Sequence, residues 1–198
     1  HPPPPPPNPH QPDRRQRHMC IRDRDKGTKV DVKIKRGKDV ANLDFTIERD
    51  KIPIYSVDAS YMAKPKVGYI KLNNFSASSV DEIKKAVYKL KADGMKDLIL
   101  DLQNNGGGYL MTAVELVDQF LSEPKLVVST KGRAFPERKF QTRFNGILED
   151  GRLVVLVNES SASASDIVSG AIQDWDRGLI VGRRTFGKGL VQKPINLP

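Results

Sequence analysis

The residues of this chain that could do chemistry lie in three short segments rich in glycine or serine, at 104–108, 160–166 and 182–189. Each segment follows a run of apolar residues that has the length of a β-strand. In an open α/β sheet, functional loops usually lie at the carboxyl ends of the strands. We therefore expect the three segments at the carboxyl edge of a sheet.

The first segment reads NNGGG and ends in Gly106, Gly107 and Gly108. One interpretation is a flexible turn before a helix. Another is an oxyanion hole, because glycines let backbone N–H groups approach a ligand closely and face a developing negative charge. The segment by itself is compatible with both interpretations.

The second segment reads SSASASD and lies between an apolar strand and an apolar helix. Serine and aspartate are common helix N-caps, so the segment could simply begin that helix. Capping needs only one serine, however, and the alanines on both sides of Ser163 would let its hydroxyl lie at the helix N-terminus beside backbone amides. Ser163 is therefore a candidate nucleophile.

The third segment, GRRTFGKG, matches the first seven positions of a phosphate-binding loop and ends that match at Lys188. The match then fails, because a Ser or Thr should follow the lysine and a helix should begin there, whereas Gly189 leads into the strand-like LVQKPI. A helix after Lys188 would favour nucleotide binding. We expect a strand over residues 189–193.

Histidine, the usual base for a serine nucleophile, is present only at His1, His10 and His18, in a polar N-terminal tract. Lysine is the common substitute. A lysine acts as a base at neutral pH only when its amine is unprotonated, which burial among apolar groups favours. Lys188 has Phe186 and Leu190 as near neighbours and is therefore the candidate base.

The remaining pattern is that of an α/β domain in which strands and helices alternate. Polar residues 131–151 are expected to form a long exposed loop. A module boundary is expected near residue 38, after a first strand over residues 28–36. The other predicted strands are 43–47, 52–57, 67–74, 96–102, 125–130, 152–157 and 178–182, and the predicted helices are 79–92, one from the glycines to about residue 121, and 164–175.

The first 24 residues differ in composition from the rest of the chain. Residues 1–18 are rich in Pro, Arg and His and contain almost no apolar side chains, so we expect disorder. Residues 19–24 read MCIRDR, one reading frame of a transposon end used to prepare DNA libraries, so we expect an artefact there. Cys20, the one cysteine, would then lie outside the natural protein.

Composition excludes several classes of protein. The formal charge is +9, but the lysines are scattered and no aromatic-interleaved basic stripe is present, which disfavours nucleic-acid binding. No apolar run has the roughly 18 residues of a membrane-spanning helix. Without cysteine or histidine after residue 24, a disulfide framework or a zinc site is not expected.

Taken together, SSASASDIVSGAIQDWDRG, TFGKGLVQ and the upstream DLQNNGGGYL resemble the signature of the carboxy-terminal processing peptidases, which are serine/lysine peptidases of family S41. The resemblance covers residues 67–193. Residues 28–37 are similar to the last strand of the PDZ domain that precedes this core. Gln103, Gly106 and Asp166 depart from the arginine, proline and glutamate usual in the family.

The resemblance implies roles for individual residues. Ser163 would be the nucleophile and Lys188, 25 positions later, its base, with Gln192 orienting the lysine. The oxyanion hole would combine Ala164 with a glycine, and Asp174 would occupy a recurrent acidic position. The candidate oxyanion glycines are Gly107 and Gly108.

The resemblance also implies an α/β core of the ClpP and crotonase kind at 39–198, truncated at its C-terminus, and a PDZ remnant at 25–38, the rest of the PDZ domain being absent. The expected reaction is hydrolysis of proteins near their C-termini, without a cofactor or a nucleotide, by an exported protein of the cell envelope or periplasm. Homo-oligomerisation is left open. The alternative is a non-catalytic peptide-binding module on the same fold.

Overall fold

A computed structural model describes residues 25–35, 42–50, 55–122, 124–133 and 135–192. The predictions of disorder and of an artefact at residues 1–24 lie outside these ranges. The described residues fall into two compact units, which divide between residues 54 and 55.

The described residues of the first unit form an antiparallel hairpin. Strand β1, Lys29–Ile34, pairs with β2, Leu43–Glu48, in a register that sets Lys29 opposite Glu48. The boundary expected near residue 38 lies outside the described residues, between the two strands of this hairpin. The strand predicted at 43–47 is observed as β2, and its partner is β1.

The second unit has a five-stranded sheet with the strand order β3-β4-β5-β8-β9. The edge strand β3 is antiparallel to β4, and the other neighbours are parallel. The strands are β3 Val57–Lys64, β4 Val67–Leu72, β5 Asp97–Asp101, β8 Leu153–Val157 and β9 Leu179–Gly182. The strand expected at 52–57 lies largely outside the described residues. Strand β3 begins at Val57, and the chain turns at Pro65–Lys66 and returns as β4, which gives β3 its partner.

The described residues of the second unit also form three helices: α1 Ser79–Ala92, α2 Leu110–Val117 and α3 Ala164–Asp174. Burial alternates along β4, β5 and β8, so one face of the sheet is fully buried. The apolar stripes of the helices and this face form one core. Fully or almost fully buried members of that core are Ile70, Leu72, Ile83, Val87, Leu100, Leu116, Val155, Val168 and Ile172.

Residues 131–151, expected to be a loop, contain a strand instead. Strand β6, Leu126–Gly132, pairs antiparallel with β7, Phe135–Gln141, in a separate two-stranded sheet. The charged side chains of FPERKFQ conceal the strand in the sequence because β7 is largely exposed and its residues need not be apolar. Helix α2 is also shorter than predicted, since Asp118 to Phe120 form turns.

The strand expected at 189–193 is not observed over residues 189–192, the part of it that the structure describes. Residues 184–192 have no regular secondary structure, and the side chains of Leu190 and Val191 are 76% and 58% exposed. An isolated β-type segment needs a partner strand to satisfy its backbone, and no described strand pairs with this one. In the described part of the second unit, no helix is long and apolar enough to span a membrane.

Candidate functional site

The three glycine- and serine-rich segments follow β5, β8 and β9, as the sequence predicts. Because these strands are parallel, their carboxyl ends lie at the same edge of the sheet. Hydrogen bonds join the loops directly. The Asn158 side-chain amide donates to Asn104 Oδ1 at 2.8 Å, and the Asn104 N–H donates to Asn158 Oδ1 at 3.0 Å.

Ser163 occupies a strained turn between β8 and α3. Its backbone has φ 57° and ψ −107°, an unusual conformation for a residue with a side chain. Strain of this kind costs on the order of 1–3 kcal/mol and persists only where neighbouring structure enforces it. Ser161 supplies part of that enforcement, since its buried hydroxyl donates to the Leu102 carbonyl at 2.7 Å and accepts from the Asn158 N–H at 3.0 Å.

Asn105 anchors the glycine loop against the loop that carries Ser163. Its side chain is fully buried and donates to the Leu72 carbonyl at 2.8 Å. The Asn105 carbonyl accepts from the Ala162 N–H at 3.0 Å and from the Ser165 hydroxyl at 2.9 Å. The strand β4, the glycine loop and the start of α3 are therefore held together through one residue.

Gly107 lies directly against the candidate nucleophile. A Cβ atom on Gly107 would approach Ser163 Cβ to 2.7 Å and the Ala164 nitrogen to 2.9 Å, so only glycine fits there. The N–H of Gly107 already donates to Asn105 Oδ1 at 2.9 Å. It is therefore not available as an oxyanion donor while that bond is intact.

The next amide, that of Gly108, differs from that of Gly107. Gly108 lies against Phe75, whose N–H donates to the Gly107 carbonyl and whose carbonyl accepts from the Tyr109 N–H. Within the described ranges, the N–H of Gly108 donates no hydrogen bond. The same is true of the N–H of Ala164, the first residue of α3. The unengaged amide of Ala164 thus lies directly after Ser163 at a helix N-terminus, which favours negative charge, and that of Gly108 directly follows Gly107, which contacts Ser163.

Lys188 is brought to the same place by its backbone. Its N–H donates to Asp166 Oδ2 at 2.9 Å, and the same oxygen accepts from the Ser163 N–H at 2.6 Å. The Phe186 N–H also donates to the Ser161 carbonyl at 2.9 Å. The segment that carries Lys188 therefore packs on the loop that carries Ser163.

The side chain of Lys188 does not engage Ser163 in this arrangement. No hydrogen bond joins Ser163 Oγ to Lys188 Nζ among the described residues. The apolar burial expected around Lys188 is also absent, because Lys188 is only half-buried and Phe186 is 69% exposed. The physical reason is that residues 184–192 lack a pairing strand that would bury them.

Two predicted site residues are not brought to the site. Gln192 is exposed and makes no hydrogen bond with Lys188 among the residues described. Asp174 is the last residue of α3, so the rise of the helix places it about 15 Å from Ser163 at the opposite end. Its exposed carboxylate forms no hydrogen bond or ion pair with a predicted site residue in the described chain.

Sequence reasoning missed Asn105 and Asp166 as site residues. Asp166 had a signal, because Ser163-x-x-Asp166 has the spacing of a capping box, in which the third helical residue bonds back to the N-cap amide. Asn105 had no such signal, since the partners through which it joins β4 and the start of α3 lie 33 to 60 positions away along the chain. Among the described residues no cluster of three His, Cys, Asp or Glu could hold a metal ion.

A groove of about 240 Å³ lies between α1, α2 and β7. Its walls combine apolar side chains such as Met111 and Phe144 with charged ones such as Lys84 and Arg143. None of the predicted site residues lines it.

The chain matches the sequence profile of Peptidase family S41 over residues 66–198. It is 40% identical over 168 residues to a "Probable CtpA-like serine protease" of Staphylococcus aureus strain N315, with 83% of this chain and 33% of that protein covered. A protein of the same description from Staphylococcus epidermidis strain ATCC 35984 is 39% identical, with 84% and 33% covered. The chain thus spans about a third of the length of these relatives.

Solved structures agree with this grouping. The photosystem II D1 C-terminal processing protease matches with a TM-score of 0.64 and 29% identity, over 87% of this chain and 48% of that one. An S41 protease structure from Bacteroides fragilis matches with a TM-score of 0.62 at 19% identity, over 86% and 50%, which supports the fold alone. The α/β fold is that of these proteins, and the chain belongs to peptidase family S41.

Proposed function

We propose that this chain forms the catalytic core of a serine endopeptidase that hydrolyses peptide bonds through an acyl-enzyme, with Ser163 as nucleophile and Lys188 as base. The observation that carries the proposal is the placement of Ser163. It lies on a positive-φ turn, against Gly107, with its loop hydrogen-bonded to the segment that carries Lys188. A purely structural helix cap needs neither the strain nor the glycine contact.

In the proposed mechanism, Lys188 Nζ in its neutral form takes the proton of Ser163 Oγ as the oxygen attacks the substrate carbonyl carbon. The oxyanion accepts hydrogen bonds from the unengaged amides of Gly108 and Ala164. When the tetrahedral intermediate collapses, Lys188 returns its proton to the leaving amine. Water, activated in the same way, then hydrolyses the acyl-enzyme and restores Ser163.

The reach of Lys188 is consistent with this role. Its flexible four-carbon side chain allows Nζ to turn toward Ser163 when substrate is bound. Catalytic hydrogen bonds are often long or unformed without substrate. A substrate lying over the site would also exclude water from it.

Between the two candidate oxyanion glycines, the hydrogen bonding favours Gly108. The Gly107 N–H is occupied by Asn105 Oδ1, whereas the Gly108 N–H is not engaged in the described chain. We assign Gly107 the task of leaving room for Ser163. Gln192 keeps its proposed role of orienting Lys188 only if the segment after Lys188 rearranges, and Asp174 has none at this site.

The substrate class is inferred by analogy with the D1 protease, whose name states that it processes a C-terminus. We propose that this protein cleaves flexible proteins near their C-termini, and that the β1–β2 hairpin belongs to a PDZ domain that captures them. We also propose export to the cell envelope. Fractionation that leaves the protein wholly in the cytoplasm would contradict the last proposal.

The decisive experiment compares the complete protein with Ser163→Ala and Lys188→Ala, on an unfolded reporter whose products are identified by mass spectrometry. We expect both substitutions to lower kcat/KM by roughly a thousandfold or more without changing the circular dichroism spectrum. Ser160→Ala and Lys89→Ala, at exposed positions, serve as matched controls. Reporters with free and extended C-termini test end preference.

Two results would contradict the proposal. If cleavage survives in Ser163→Ala or Lys188→Ala, the substituted residue is not required for catalysis and the proposed Ser163–Lys188 dyad is excluded. Tight binding of the reporter by the wild-type protein without any product would instead support the alternative, a non-catalytic peptide-binding module.

A further inference from the structure

One carboxylate, that of Asp166, joins the loop of Ser163 to the loop of Lys188. Asp166 Oδ2 accepts from the Ser163 N–H at 2.6 Å and from the Lys188 N–H at 2.9 Å. Asp166 Oδ1 accepts from the Gly187 N–H at 3.1 Å. Residues 24 or 25 positions apart in the chain are therefore held at a common point by the two oxygens of a single side chain.

The environment suits a charged carboxylate. Asp166 is half-buried in the first turn of α3, where the helix dipole favours negative charge. No Lys, Arg or His nitrogen of the described residues lies within ion-pair distance of it, so backbone amides are the partners recorded for it. Hydrogen bonds from amides to an ionised oxygen are stronger than those between neutral groups.

The segment that depends on Asp166 has few other attachments. Residues 184–192 have no regular structure. Apart from the Asp166 bonds, the Phe186 N–H to Ser161 carbonyl bond is the attachment seen for this stretch within the described chain. Asp166 therefore holds the backbone of Gly187 and of Lys188, from which the candidate base extends.

Helix capping alone does not account for this arrangement. A capping-box carboxylate needs only the bond to the N-cap amide, which here belongs to Ser163. The bonds to Gly187 and Lys188 come from a distant segment and contribute nothing to the start of the helix. Their effect is to fix where the base emerges relative to the nucleophile.

We propose that Asp166 is a positioning residue that sets the geometry between Ser163 and Lys188. The inference rests on the proposed Ser163–Lys188 dyad and goes beyond it by naming the group that assembles the dyad. Without the carboxylate, the Lys188 segment would be released from Ser163 while the hydroxyl and the amine would both remain.

The test is a double-substitution cycle in the complete protein. The rate of covalent labelling of Ser163 by a fluorophosphonate probe is measured in the wild-type protein, Asp166→Ala, Lys188→Ala and the doubly substituted protein, below the unfolding transition of each. Labelling reports activation of the hydroxyl independently of peptide turnover. The kcat and KM values for a peptide substrate are measured alongside.

If Asp166 acts through Lys188, Asp166→Ala slows labelling roughly tenfold to a hundredfold, as a misplaced catalytic group does, and lowers kcat more than it changes KM. In the Lys188→Ala background the same substitution has almost no further effect, because the residue to be positioned is absent. Asp166→Glu, which keeps the carboxylate, restores most of the rate, whereas Asp166→Asn does not.

A matched control separates positioning from loss of stability. Asp97 also holds a distant amide, that of Arg152 at 2.9 Å, at the opposite end of β5 from the site. Asp97→Ala should lower the unfolding midpoint comparably to Asp166→Ala and leave labelling unchanged.

The outcomes are distinguishable. A normal labelling rate in Asp166→Ala overturns the positioning role. So does a doubly substituted protein whose labelling is slowed by the product of the factors measured for Asp166→Ala and Lys188→Ala. A normal rate in Lys188→Ala instead overturns the proposed dyad, whatever Asp166 does.

Discussion

Gly107 illustrates how little room surrounds the candidate nucleophile. With φ at +99°, its backbone has a conformation that residues with a Cβ rarely adopt. A methyl group there would lie 2.7 Å from the Ala162 carbonyl oxygen and from Ser163 Cβ. These are backbone or backbone-attached atoms, so neither can move aside by a simple change of rotamer.

We expect Gly107→Ala to displace the loop of Ser163 and to abolish cleavage, with a loss of stability on the order of 1–3 kcal/mol from backbone strain. The neighbouring glycine supplies the control. A Cβ on Gly106 meets no atom within 4 Å, so Gly106→Ala should retain activity and stability. Urea denaturation and reporter cleavage would measure both, and equal behaviour of the two variants would contradict the steric explanation.

At the scale of the element, helix α1 is attached to the sheet by its first turn. Glu82 accepts from the N–H groups of Ser56 at 2.7 Å and Val57 at 3.0 Å, at the start of β3, and from the Ser78 hydroxyl. Partial burial raises the pKa of Glu82, but the hydrogen bonds from Val57, Ser78 and Ser56 outweigh it. The net pKa lies below the ordinary value of 4.5.

A lowered pKa stabilises the folded state above the ordinary value of 4.5, and that stabilisation is lost as the pH falls through the folded-state pKa. We therefore expect Glu82→Gln to be less stable than the wild-type protein near neutral pH, by about 1 kcal/mol. Its unfolding free energy should also fall less steeply below pH 4.5. Asp81→Asn in the same turn is the control, and parallel pH curves for Glu82→Gln and the wild type would refute the assignment.

At the scale of the second unit, Arg177 connects regions that are distant in the sequence. Its guanidinium donates to the carbonyls of Phe120 at 2.8 Å, Leu148 at 2.6 Å and Gly151 at 3.0 Å. Partial burial lowers its pKa, and Asp150 opposes that change. The end of α3, the turn after α2 and the loop before β8 are thereby fixed to one another.

Arg177→Met should destabilise this unit by about 1–2 kcal/mol, because several carbonyls lose a charged donor at a partly exposed position. Activity per folded molecule should be unchanged, since Arg177 lies beyond the far end of α3 from Ser163. Arg183→Met, which removes an exposed pair with Glu159, should leave the unfolding midpoint unchanged. A similar midpoint shift in both variants would show that the bonds of Arg177 to carbonyls have no special weight.

The sequence alone located the loops that matter. The apolar runs that form β5, β8 and β9, together with the glycines and serines after them, predict the loops at the sheet edge, because strand length and turn chemistry depend on neighbouring residues. The family followed from the same segments. These features are local, so the order of residues along the chain is enough to reveal them.

The tertiary structure decided which groups in those loops are engaged. The bridge through Asp166 and the anchor at Asn105 join residues up to 60 positions apart in the chain. The tertiary structure also shows that the Gly107 N–H is engaged by Asn105 and that the Gly108 N–H is not engaged in the described chain. Strand β7 needed its partner β6, whereas residues 189–192 lack one and are not a strand. Such pairings join segments through backbone hydrogen bonds between residues that are not neighbours in the chain, so a local sequence pattern does not reveal them.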